Sequence, residues 1–349
     1  MKIKDSRIGC FSDIHIGLNQ DNPIWHKIVL DFAEWASKKY LEHGINEVII
    51  PGDIFHNRSE ISVATLATAK KFFDYFKDFN LYISVGNHDS YYKDNGKVNS
   101  VSIFDGWNNI KVIDDAPFIL ETKNKKISLI PWGTKLEDIP ETDIIFGHFE
   151  INSFYMNSYK ICEHGISSAD ILKKSKVIIS GHFHKKDHKK YKNGEIVYLG
   201  SPFQQNFGDC LDERGIYIYD IDKNSFDFIE NNISPKHFKI SLKKLLDGKI
   251  DTKQLKNNIE NSHISLVVDS KLDDNKLLLL SSKIKNLLPI SFRTEHVESE
   301  IKSNSNLKGD ELEEIDLIED IEKYVNSLDI ENKKEVVSYI KELYNNKLK

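Results

Sequence analysis

The sequence predicts an α/β protein: two packed mixed sheets flanked by helices, then a small α/β unit and a C-terminal helical hairpin. Three observations predict it. Through the first hundred residues short apolar runs alternate with helical periodicity, which argues for parallel strands covered on both faces. From Lys126 onward strand-like runs crowd together with few helices between them, which calls for a second sheet. Beyond Pro235 a short strand–helix alternation restarts, and the chain ends in two runs whose apolar residues fall three and four apart.

The elements follow in order. "RIGCFSD" reads as a strand reaching Asp13. The next stretch has Asn22 as N-cap, Pro23 at the first helical position and Gly44 past the end, so it reads as a helix. "NEVIIPGD" is a strand reaching Asp53, "SEISVATLATAKKFFDYFKDF" a second helix, and "LYISVGNHD" a third strand leading into a loop. "KISLIPWG", "TDIIFGH", "SKVIISGH", "EIVYLGSP", "RGIYIYDID" and "SFDFIEN" supply the later strands. Residues 236–297 alternate "HFKIS", "TKQLKNNIE", "HISLVVDS", "NKLLLLSSKIKNLL" and "ISFRTEHV". "SEIKSNSNLKGD" then has linker composition. The expected division is 1–235, 236–297, a linker over 298–310, and helices over 311–349. Those helices either dock on their own chain or offer an apolar strip to a partner.

Composition narrows the function. Hydrophobic content of 40% with 11% aromatics supplies a sizeable core, so wholesale disorder is excluded. No apolar run approaches the roughly 18 residues of a membrane helix, and "MKIKDSRIGCFSD" lacks a signal-peptide core. Cys10, Cys162 and Cys210 are scattered, which suits a reducing cytoplasm. The formal charge of −6 is uneven. Residues 296–335 carry 13 acidic side chains against five lysines, a local −8, which leaves +2 for the rest. A polyanionic partner is therefore compatible with the acidic whole. The clusters at 172–176 and 184–192 read as solvated lysines.

The chemistry lies at the strand ends. Strand one delivers Asp13 and His15 in "SDIHIG", and strand two delivers Asp53 in "PGDIFH". "VGNHDS" delivers Asn87, His88 and Asp89, "IIFGHFE" delivers His148, and "IISGHFH" delivers His182 and His184. In open α/β sheets the crevice beyond the carboxyl ends of the strands is where sites form. Four of the five clusters follow a glycine (Gly52, Gly86, Gly147, Gly181), which permits a sharp turn and a close approach. Carboxylate, amide and imidazole donors together suit manganese, iron or zinc, and no thiolate cluster appears. Seven donors exceed the needs of one tetrahedral ion, so two divalent ions sharing a carboxylate are expected. His182 and His184, at i and i+2, lie on one side of an extended chain. The other histidines and the four tryptophans read as surface or packing residues, with His164 near enough in its loop to be considered. Tyr91 and Tyr92 are the aromatics best placed to meet a nucleic acid.

The ordered set of these motifs resembles the calcineurin-like metallophosphoesterases. The stretch "GDIFHNR", with His56 three residues after Asp53, is similar to the SbcD-type nucleases of double-strand-break processing. "IPWG", "GHFEINSFYMNSYKICEHGI" and "YLGSPFQQNFGD…RGIYIYD" are closer still to the nuclease subunit of tailed-phage recombination endonucleases. The resemblance is specific over about residues 7–235 and looser beyond. It implies one ion held by Asp13, His15, Asp53 and His184, and another held by Asp53, Asn87, His148 and His182. His88 would act beside the scissile phosphate, Asp89 would orient His88, and His56 would help place the DNA strand.

The implied activity is a two-metal DNA phosphodiesterase, a manganese-dependent exonuclease and single-strand endonuclease, with magnesium as a less active substitute. The implied partners are DNA ends and single strands, a second copy of the chain, and a coiled-coil ABC-type ATPase gripped by the C-terminal helices. Residues 236–297 would be a capping domain that recognises DNA. The implied setting is recombination and repair in the cytoplasm, that of the host if the chain is phage-encoded. A metallophosphatase or cyclic-nucleotide phosphodiesterase, and a mainly structural end-tethering subunit, are the alternatives.

Overall fold

The computed structural model describes residues 1–156, 160–250 and 252–297, together with Lys333, Lys334, Val337 and Ser338. The chain divides into two units, Met1–Glu298 and Ser299–Lys349. In the second, the four described residues are helical. The rest of the expected linker and of the expected helices at 311–349 lie outside the described residues.

The first unit holds two six-stranded sheets. One runs in the order Ser225–Glu230, Gly215–Asp220, Arg7–Cys10, Glu47–Pro51, Asn80–Ser84 and Ile110–Ile113. The other runs Phe118–Glu121, Lys126–Ile130, Ile144–His148, Val177–Gly181, Gly194–Tyr198 and Asp187–Tyr191. The strands that carry donors pair in parallel within each sheet (Gly9 with Val48, Pro51 with Ser84, His148 with Gly181), so their carboxyl ends point the same way. Both sheets are mixed: the second has antiparallel pairing at both edges, and the first has it over Ser225–Glu230, Gly215–Asp220 and Arg7–Cys10 while its other edge, Ile110–Ile113, pairs in parallel. Alternation along each strand sorts side chains between layers. In Glu47–Pro51, Val48 and Ile50 face the helices, while Ile49 joins the core between the sheets. Ile178 and Ile179 divide in the same way on the second sheet.

Helix Pro23–Glu42 begins where the sequence places it: the Asn22 side chain accepts from the Ile24 N–H, with Pro23 in the first turn. Helix Val63–Asp74 is capped by Ser62, which accepts from Thr65 N–H. Both pack on the outer face of the first sheet, one through Phe32 and the other through Phe72 and Phe73. The lysine cluster at 184–192 is more ordered than its composition implies. Asp187–Tyr191 is the edge strand of the second sheet, paired antiparallel with Gly194–Tyr198. Lysines along an exposed edge deter pairing with another chain.

Within the same unit, His237–Ser241, His263–Val268 and Ser291–His296 form an all-parallel three-stranded sheet with helices Thr252–Ile259 and Asp274–Lys285. Its core of Ile240, Leu266 and Ile284 is separate from those of the large sheets. His237 and His263, which the sequence gives no reason to single out, are buried at 3% and 6% exposure. They stack on each other at 4.4 Å, and His263 stacks on Trp25 at 5.4 Å. These rings fasten the small sheet to the first long helix.

Candidate metal centre

The five strand ends converge. Ser12 Oγ donates to the carbonyls of Pro51 and Gly52, Asp13 N–H donates to Gly52 O, and His15 N–H donates to Asp53 O. The loops after the first two strands are thus zipped together. Gly52 has φ +95, and a side chain there would run into the His148 ring. A Cβ on Gly86 would strike the Asp53 carboxylate. These two glycines let the loops close to contact distance. Strain accompanies the closure: Asp13, His15, Asp53 and His182 hold positive φ of 60, 52, 56 and 90. Such conformations cost about 1–2 kcal/mol apiece for residues with a Cβ and collect at functional sites.

All seven predicted donors meet. Asp53 Oδ2 lies 3.6 Å from His15 Nε2 and 3.3 Å from His148 Nε2. His15 Nε2 and His184 Nε2 are 3.0 Å apart. Asn87 Oδ1 lies 2.8 Å from His148 Nε2 and 2.9 Å from His182 Nδ1. The His182 N–H donates to both oxygens of Asp13, at 3.1 and 3.2 Å. Three groups, Asp13–His15–His184, Asp53–His148–His182 and His15–His56–His88, each bring three donor atoms within 4.8 Å of one another.

The donor set fits divalent cations. Asp13, Asp53 and Asp89 are 0–1% exposed, and buried carboxylates need positive charge nearby. Burial pushes Asp13 up to about 7. Burial acts the same way on Asp53, yet the charges of His148 and His15 outweigh it and hold Asp53 below the ordinary carboxylate range. His148 rises to about 9, because the Asp53 carboxylate overcomes the burial that would lower it. Burial lowers His15, and it brings His182 to about 3 and His184 to about 4. These three imidazoles are therefore neutral near pH 7, with lone pairs free to ligate. His148 Nδ1 faces the Pro51 carbonyl at 2.8 Å, which fixes the proton there in the neutral ring and turns the Nε2 lone pair toward Asp53 and Asn87.

His88 and His56 border this cluster. The His88 ring lies 4.7 Å from that of His15 and 5.5 Å from that of His56. Asp89 sits differently from the implied arrangement. Its carboxylate accepts the N–H groups of Asp53 at 2.9 Å, Phe55 at 2.9 Å and Gly86 at 3.0 Å. The His88 ring is oriented instead by the His56 main-chain carbonyl, 2.7 Å from Nδ1. Three amide donors hold the Asp89 carboxylate, so it braces the Asp53 loop, and the His88 ring nitrogen Nδ1 is left to the backbone. Tyr91 and Tyr92 are each 51% exposed on the following loop, and His164 is exposed.

Several supporting residues lie beyond the sequence reading. Gln205 Nε2 donates to the Asp13 carbonyl at 2.8 Å, and Gln204 Oε1 accepts from the His237 N–H at 2.6 Å. Buried Arg214 bridges Ser201 and Asp209, while the Ser201 N–H holds the His184 carbonyl. Trp132 packs 5.3 Å from the His182 ring. Trp132, Gln204, Gln205 and Arg214 lie in strings quoted above for their resemblance, "IPWG" and "YLGSPFQQNFGD…RGIYIYD", which give these residues no role.

Residues 6–186 match the family described as calcineurin-like phosphoesterase. The chain is 29% identical over 347 residues to exonuclease subunit 1 of Enterobacteria phage T4, covering 95% of this chain and 96% of that one. Among solved structures it is similar to an archaeal phosphodiesterase at 16% identity, with a TM-score of 0.37, over 64% of this chain and 99% of that one. It is also similar to a dimetal phosphatase from Danio rerio at 12% identity, with a TM-score of 0.38, over 61% and 91%. The family match spans more than half of the chain and contains every one of the seven converging donors, so this protein belongs to the calcineurin-like phosphoesterases.

Proposed function

We propose that the protein hydrolyses DNA phosphodiester bonds with two divalent ions, manganese by preference, as an exonuclease and single-strand endonuclease. One ion would be held by Asp13, His15, Asp53 and His184, the other by Asp53, Asn87, His148 and His182. The observation that carries this reading is the position of one oxygen, Asp53 Oδ2, between His15 Nε2 and His148 Nε2 at 3.6 and 3.3 Å. A carboxylate placed there serves both halves of the donor set. When bound, such a pair supplies charge neutralisation at the phosphate and a water acidic enough to attack near neutral pH.

The chain's own residues do the rest. His88 keeps Nδ1–H on the His56 carbonyl; in the doubly protonated ring Nε2–H would then donate to the charged phosphate oxygen or give its proton to the departing sugar oxygen, leaving the neutral ring. His56 guides the strand beside it. Asp89 keeps Asp53 and Gly86 in register from behind.

The assignment to DNA draws on the phage relative, which is named an exonuclease subunit and aligns along nearly the whole chain. On the same ground the protein would be one subunit of a recombination and repair complex in the host cytoplasm. Residues 236–297 would cap the nuclease body, 1–235, and help recognise DNA. A homodimer would form, and residues 311–349, beyond a linker at 298–310, would grip a coiled-coil ATPase. No helix among the described residues is long and apolar enough to cross a membrane.

The test is hydrolysis of end-labelled linear DNA with manganese, beside a phosphopeptide and a cyclic nucleotide. Metal-dependent cleavage of DNA well above the other two is expected. Turnover of the phosphopeptide or cyclic nucleotide with intact DNA would overturn the reading.

A further inference from the structure

A cavity of about 310 Å³ is lined in part by His56, whose ring lies 5.6 Å from that of His15 in the Asp53 cluster. Its floor is the bridge between Ile16 and Phe55, the same pairing that zips the two donor loops. One wall is the turn Asn19–Asp21, where three successive residues other than glycine hold φ of 55, 58 and 58. That turn is tied down by Asp21, which accepts from the Thr65 hydroxyl and lies 3.5 Å from His26 Nε2. Asn57, Glu60 and Ile61 also line the cavity, running into the start of helix Val63–Asp74.

The chemistry of this cavity differs from that of the metal cluster. Its lining includes the carboxylates of Asp21 and Glu60 and neither lysine nor arginine, so a phosphate there would meet like charge without relief. The exposed side chains of Asn19, Gln20 and Asn57 each offer a donor and an acceptor, and the half-buried Leu18 and Ile61 add apolar surface. The volume falls within the range of roughly 300–1,000 Å³ typical of small-ligand sites. A flat, uncharged group with mixed hydrogen-bonding edges and apolar faces fits; a phosphate does not.

We infer that this cavity receives the nucleobase of a nucleotide adjoining the scissile phosphate, drawn out of the strand past His56. The inference rests on the DNA phosphodiesterase reading and adds a contact to the base, where the metal cluster engages only the backbone. Removing a base from its stack breaks stacking and pairing and is cheapest in single strands. A base pocket beside the cluster therefore favours single-stranded substrates.

The test uses the full-length protein with manganese and single-stranded oligonucleotides cut at one labelled position. An abasic nucleotide, which keeps sugar and phosphate, is placed immediately 5′ or immediately 3′ of that position. For the wild type, loss of the base on one side is expected to slow cleavage about tenfold, the scale of a single base contact. In Asn57→Ala, and separately in Glu60→Ala, the ratio of intact to abasic rates is expected to fall toward one. Equal wild-type rates on the intact and both abasic strands would overturn the inference while leaving the phosphodiesterase reading in place. So would a full abasic penalty retained in both variants. Wild-type protein that cleaves none of these strands would remove the phosphodiesterase reading, and this inference with it.

Discussion

The main-chain carbonyl oxygen of His56 lies 2.7 Å from Nδ1 of His88. A carbonyl only accepts, so Nδ1 carries a hydrogen; Nε2 is the nitrogen left to work on the substrate, and it has a proton to give only in the doubly protonated ring. This backbone contact ties the catalytic candidate to the loop that also presents Asp53. Replacing the ring therefore removes a proton donor without disturbing a metal-binding group. For His88→Ala the expected loss in DNA cleavage is about 10²–10⁴-fold, the usual share of general acid–base catalysis. Metal analysis should find the same content as in the wild type. Cleavage at the wild-type rate with metals in place would take His88 out of the mechanism.

Asp53 belongs to both halves of the donor set, so its removal should act on both. Its Oδ2 faces His15 and His148, and its Oδ1 accepts the His88 N–H at 2.9 Å. Asp53→Ala is expected to lose or weaken both ions at once, whereas His182→Ala should weaken one more than the other. Elemental analysis after gel filtration in manganese separates these outcomes. Two ions retained by Asp53→Ala would contradict the shared carboxylate.

Asp89 offers a contrast, because its effect should appear first in stability. It accepts three buried N–H groups, those of Asp53, Phe55 and Gly86. Removing an acceptor leaves those donors desolvated and unpaired, at about 1–3 kcal/mol each. Asp89→Ala should therefore cost roughly 3 kcal/mol or more in urea unfolding of the metal-free protein. A midpoint unchanged from the wild type would show that these bonds bear no weight, and would return Asp89 to a role at the His88 ring.

The convergence of the expected ligands was legible because each is a side chain at the end of an apolar run, usually after a glycine, and such ends converge in a parallel sheet. What Asp89 does was not legible. A carboxylate next to His88 in sequence can face the ring or turn back to the main chain, and only the fold decides. Gln204 and Gln205 were hidden for a related reason: amides in a loop between strands look like solvated polar residues, yet here they are buried at 6% and 4% exposure. The edge strand Asp187–Tyr191 was masked by its lysines, whose charge serves its exposed position. His237 and His263 belong to no motif. Their burial arises from packing against Trp25, a residue more than 200 positions away.

That buried pair supplies a prediction independent of the metal cluster. Burial, with smaller contributions from His263, Arg293 and Arg214, brings His237 down to about 3, and burial brings His263 to about 4. Both fall below the ordinary histidine value of about 6.5 of the unfolded chain. Above that value both rings are neutral in either state and the junction keeps its full stability. As the pH drops below it, the unfolded chain takes up protons that the folded chain refuses. Stability should then fall by up to about 1.4 kcal/mol per pH unit for each ring, until the folded rings themselves titrate near pH 4 and 3. Replacing both residues, as His237→Phe with His263→Phe, keeps flat rings in the stack and removes the two titrations. Urea midpoints at about pH 7.5 and about pH 5 should separate less for this variant than for the wild type. The histidines of the metal cluster titrate in both proteins, so the comparison cancels them. If the two proteins lost stability in parallel on acidification, the rings at the small-sheet junction would have to be charged or solvent-accessible in the folded chain, contrary to the burial seen there.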